Sequence, residues 1–110
     1  MIKDTLAKIE SAILRAGALD NKNKTELIAL LTKLKSEIET LPASHMEKAD
    51  SLANFAQAAA HEAARENTDN RLKSLSIEGL AQSVKSFEVS NPVLAETVND
   101  ICLMLARIGI

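Results

Sequence analysis

Apolar residues return at alternating steps of four and three along most of this chain, a spacing that lines one face of an α-helix. Ile2, Leu6, Ile9 and Ile13 make a first such stripe, and Leu27, Leu31, Leu34, Ile38 and Leu41 a second. Leu94, Val98, Ile101, Leu105 and Ile108 make the last. A sheet would need strict alternation, β-branched or aromatic side chains, and turn residues between the strands. Only 2% of the residues are aromatic, Phe55 and Phe87, and there are three glycines and two prolines. The pattern therefore predicts an all-α fold: a bundle of four to five antiparallel amphipathic helices in a single domain, residues 1–110.

Boundary residues divide the pattern. A first helix is predicted over Ile2 to Ala16, with Gly17 placed to end it in a left-handed conformation. A second is predicted over Lys24 to Thr40, with Asn23 and Glu26 as a capping box and Pro42 as its stop. Leu14, Leu19, Ile28 and Leu30 widen the apolar faces of this N-terminal hairpin, residues 1–42. Residues 43–110 hold the rest. Ser44 and Glu47 read as a second capping box, opening a long Ala-rich helix from His45 to about Asn67. The polar stretch Glu66 to Asn70 reads either as a break or as part of one rod. Helix then resumes by Leu72, with Leu72, Leu75, Leu80, Val84 and Phe87 inward and Gly79 as a weak point. Asn91 suits an N-cap and Pro92 the first helical position, where its missing N–H costs nothing.

The Ala-rich helix is the unusual element. Ala49, Ala53, Ala56, Ala60 and Ala63 keep the four-three spacing with methyl groups alone. A methyl seam lets another helix approach closely while burying little area per residue. These five alanines are the candidate interaction seam, whether the contact lies within the fold or between chains.

Several function classes fall away on bulk properties. The formal net charge is −2, with seven basic and six acidic residues through Pro42 and six and nine after it, so neither part offers the phosphate-neutralising surface that nucleic-acid binding needs. The opening MIKDTLAKIESAIL interrupts its apolar residues with charges, unlike a signal peptide. The longest apolar run, Ile101 to Ala106, is too short to span a bilayer. One cysteine permits no internal disulfide. These features fit a cytoplasmic protein.

Reactive constellations are equally scarce. His61-Glu62 invites a zinc-protease reading, but that motif needs a second histidine four residues on, and position 65 is Arg65. The simpler expectation is a Glu62–Arg65 contact on a solvated face, since residues three apart on a helix meet. Cys102 follows Ile101 in the last helix, where a small buried hydrophobe is expected, with no base nearby to make a thiolate. Gly17, Gly79 and Gly109 form no phosphate-cradling loop. The residues predict no catalytic site, no cofactor and no metal.

The C-terminal part carries a resemblance. Leu75-Ser76-Ile77-Glu78-Gly79-Leu80, then Ser83-Val84, Phe87-Glu88, Ser90-Asn91-Pro92 and the closing Gly109-Ile110 resemble a small bacterial family of uncharacterised helical proteins. Ala60-His61-Glu62-Ala63 with Arg65 resembles the version with a longer middle helix. In that family a His-Pro step is more usual where this chain has Asn91-Pro92. The resemblance covers about Ala49 to Ile110 and brings no activity. It implies that Phe87, Glu88, Pro92 and Ile110 belong to a shared structural plan.

The reading that follows is a non-catalytic structural or protein-interaction module, expected to form a homo-oligomer, a dimer first, or to receive a helical protein partner. The alternative is a ligand- or metal-binding regulatory protein using the polar face His61, Glu62 and Arg65.

Overall fold

The computed structural model describes residues 2–17, 19–67 and 69–108; the side chain of Ile2 and the closing Gly109-Ile110, named above, lie outside the described residues. Five α-helices follow one another: α1 (Ile2–Arg15), α2 (Asn21–Glu39), α3 (Met46–Ala64), α4 (Asn70–Val84) and α5 (Pro92–Arg107). Short 3₁₀ turns, Ala43–His45 and Lys85–Phe87, precede α3 and follow α4. No strand occurs among the described residues.

Two helix starts, those of α2 and α4, sit where a carboxylate caps them. Asp20 Oδ1 accepts from the Asn23 N–H at 2.8 Å, so α2 begins at Asn21, three residues before the position predicted from Asn23 and Glu26. A charged acceptor at the N-terminal end of the helix dipole, worth about 1 kcal/mol as a cap, makes Asp20 the stronger signal. Asp69 Oδ1 likewise accepts from Arg71 and Leu72 N–H and opens α4 at Asn70. With Arg65 extended (φ −66°, ψ 140°), α3 stops at Ala64, short of the predicted Asn67, and the rod is broken. Ser44 caps nothing. It lies within the 3₁₀ turn, and α3 starts behind His45 without a side-chain cap. Asn91 does hold the N-cap position of α5 ahead of Pro92, but its amide donates to Ser90 Oγ instead of capping. Gly17 follows α1 without the left-handed φ expected of it. Tight backbone bonds, Ala16 N–H to Ile13 O and Leu19 N–H to Ala16 O, close that end instead.

The helices pack in the order α1–α2–α5–α4–α3, with α3 returning to α1. Chain neighbours run antiparallel. Lys3 at the start of α1 lies 3.6 Å from Glu39 at the end of α2, and Lys24 Nζ donates to Leu14 O at the opposite pole. Lys73 at the start of α4 donates to Ile108 O just beyond α5. The non-sequential pair α1 and α3 runs parallel, since Ala12 and Arg15 share a shallow basin with His61 and Ala64. One pole thus gathers the C-terminal ends of α1, α3 and α5 with the N-terminal ends of α2 and α4.

Every described position of the first, second and last stripes is buried. α3 differs by contributing Ala49, Ala53, Ala56, Ala59, Ala60 and Ala63 around a single fully buried Leu52. Small side chains let it seat tightly between α1 and α4 and still touch α5. Two corrections concern the predicted inward sets. Leu14 faces solvent, and in the first half of α4 Leu72 and Leu75 are 43% and 55% exposed while Lys73 is only 6% exposed. The α4 face is rotated by one residue there, and Lys73, its apolar stem buried, places its ammonium on the carbonyl of Ile108, the C-cap of α5, at 2.8 Å.

Candidate functional site

The polar face on α3 holds little that could act. Arg65 Nη1 donates to Glu62 Oε1 at 2.8 Å, the contact expected from their three-residue spacing. That hydrogen bond, then the carboxylate's charge, raises the Arg65 pKa further. His61 is exposed at the rim of the basin between the ends of α1 and α3, facing Arg15 and Arg65 across it. The structure brings His61, Glu62 and Arg65 close together, and Arg65 already occupies the carboxylate. Among the described residues no group of three His, Cys, Asp or Glu could hold a metal ion.

Other polar groups are structural. His45 meets Phe87 edge-on, ring centroids 6.2 Å apart at 89°, pinning one 3₁₀ turn to the other. Cys102 is buried, and that burial pushes its thiol up to about 11 from an ordinary 9.0, away from the thiolate a nucleophile requires. Thr97, also buried, satisfies its hydroxyl on Val93 O.

The five alanines of the candidate seam, Ala49, Ala53, Ala56, Ala60 and Ala63, are all buried inside this one chain. Their close approach is made by α1 and α4. An intermolecular contact has to use other residues.

Such residues exist on the opposite side of the bundle. A groove of about 880 Å³ runs between the first half of α2 and the second half of α5. Ala29 and Leu30 line one wall, Leu103 and Ala106 the other, and buried Met104 lies beneath. Leu103 is 65% exposed. Glu26 and Lys33 on α2, and Asp100 and Arg107 on α5, border it, all four exposed and none in an ion pair among the described residues. The two walls follow one pattern: an acid, apolar residues three and four positions on, and a base at the seventh. These are Glu26, Ala29, Leu30, Lys33 and Asp100, Leu103, Met104, Arg107. Sequence reasoning registered Leu30 as widening α2 and Leu103 as part of an apolar run. It did not join them, because nothing in the local pattern says that α2 and α5 are neighbours.

A closed helical bundle with a buried apolar core and an apolar groove open between two of its helices is in class a small helical packing domain. The chain belongs to the family described as a domain of unknown function, DUF4404, which matches residues 27–110. The match takes in most of α2 and all of α3 to α5, more than the stretch from Ala49 on which the resemblance was read. No curated protein and no solved structure matches the chain.

Proposed function

We propose that this chain is a non-catalytic, cytoplasmic protein-interaction module that self-associates. The observation that carries the reading is the open groove between α2 and α5. Leu103 stands 65% exposed on its wall, although the other leucines of α5, Leu94 and Leu105, are buried. An apolar centre rimmed by charged residues has the core-and-rim layout of a docking surface. The reactive groups support no competing chemistry: the thiol is buried and protonated, and the acid beside His61 is paired. No helix among the described residues is long and apolar enough to cross a membrane.

Light scattering on a sizing column, run over a concentration series, tests the reading. The expected result is a mass that rises from one chain toward two as concentration increases. A mass of one chain up to about 1 mM, where even weak specific association registers, overturns self-association.

A further inference from the structure

We propose that the α2–α5 groove is the face on which a second copy of this chain docks, with a two-fold axis lying in the interface. The inference rests on the self-association reading above and adds which surface is used and why it recognises itself.

The argument is one of charge placement. α2 starts at the pole where α5 ends, so the two walls of the groove run antiparallel. Each wall carries its acid toward the helix N-terminus and its base seven residues on, about 10 Å along the axis at 1.5 Å per residue. Antiparallel walls therefore set Glu26 across the groove from Arg107, and Lys33 across from Asp100. The four corners alternate in sign, with acids on one diagonal and bases on the other. Such a chequered rectangle complements itself. Turned over about an axis along the helices, a second copy lays its Glu26 on Arg107 and its Lys33 on Asp100. Turned over about an axis across the helices, it lays Glu26 on Lys33 and Arg107 on Asp100. Either two-fold brings all four charges onto opposite charges, while a face with one acidic end or one basic wall would satisfy at most one of them. Among the described residues none of the four charges is paired, so each can meet a charge on another copy. Between the corners Leu103 supplies the projecting apolar group and Ala29 and Ala106 leave room for it, as an isologous contact requires.

The footprint sets the strength. The seven-residue walls, about 10 Å long and about 9 Å apart, offer roughly 200 Å² per chain, and contact along the 16 residues of α5 raises that to about 450 Å². Both figures lie below the roughly 800 Å² per partner of a standard interface, so the dimer expected is weak and reversible.

Sedimentation equilibrium on the full chain and three variants decides the matter. In Leu103→Glu a charge replaces the central apolar group at an exposed position, so helicity stays as in wild type while association weakens about tenfold or more. The all-acidic face, Lys33→Glu with Arg107→Glu, and the all-basic face, Glu26→Lys with Asp100→Lys, are each expected to be monomeric alone. Mixed one to one they are expected to form a heterodimer, for either choice of axis. A wild-type chain that stays monomeric overturns this proposal together with the self-association reading. A wild-type dimer that Leu103→Glu leaves intact, or charge variants that fail to pair when mixed, overturns the α2–α5 face alone and moves self-association to another surface.

Discussion

Gly79 shows how one atom can decide a helix position. A Cβ there would lie 2.6 Å from Cδ1 and Cε1 of Phe55, whose ring covers the α4 backbone from α3. Glycine in a helix interior ordinarily costs about 1 kcal/mol relative to alanine. In wild type that gain is expected to vanish in Gly79→Ala, because the half-exposed Phe55 ring must swing off its seat. In a Phe55→Ala background the same change is expected to stabilise by about 1 kcal/mol, and denaturant melts of the four chains measure the coupling. Cys102 carries a pH effect whose sign is fixed by its raised value. The thiol is neutral in the fold up to about 11, whereas in the unfolded chain it ionises near 9.0. Above pH 9 the unfolded state therefore binds fewer protons, and stability falls with pH until the folded thiol ionises as well. Urea melts from pH 8 to 11 are expected to decline more steeply for wild type than for Cys102→Ala, and iodoacetamide labelling of the native chain is expected to remain slow below pH 9.

At the scale of elements, α3 depends on being thin. Ala56→Leu and Ala60→Leu each force a branched side chain into the space held by α1 and α4, at about 1–3 kcal/mol apiece. The double variant is expected to melt well below wild type, by about 4–8 °C for each kcal/mol lost. Ala58→Leu, on the exposed side of the same helix, is expected to change stability by less than about 0.5 kcal/mol. Circular dichroism melts of the three chains check the contrast. How much of this was legible beforehand follows from what each helix rests on. The faces of α2 and α5 could be read directly, because Leu27 to Leu41 and Leu94 to Ile108 offer one helical stripe each and burial follows it. The first half of α4 could not be read so. Leu72 and Leu75 fit the period as well as Lys73 and Ile77, and the face that is buried goes with a long-range bond from Lys73 to Ile108 O. The alanine seam was legible as a close contact, but methyl groups at helical spacing suit an internal neighbour and a second chain equally. The positions of α1 and α4 on either side of α3 make them internal. The groove was the least legible feature, since it joins residues about seventy positions apart in sequence, Leu30 and Leu103.

For the whole molecule, α1 is the element on which closure of the bundle turns. It covers the α3 seam on one side and α2 on the other, so the ring of helices is open without it. The family match begins at Leu27, beyond α1, and so leaves its energetic role to be judged from burial alone. Leu6, Ile9 and Ile13 are almost completely buried. Three such side chains contribute about 5–9 kcal/mol at 1.5–3 kcal/mol each, before the Ala49 to Ala63 face that α1 also covers is considered. Marginal domains hold about 5–15 kcal/mol in all. A chain starting at Asp20, which keeps the α2 cap, is therefore expected to lose cooperative unfolding and to bind a hydrophobic dye through the uncovered methyl face. A separate peptide of residues 1–19 is expected to restore the transition, because the missing surface is one amphipathic helix with no covalent chemistry of its own. Thermal melts with and without the peptide measure this. If the shortened chain melts cooperatively at the wild-type temperature, α1 is an accessory on a self-sufficient four-helix unit, and the account of α3 as a seam needing cover on both sides fails with it.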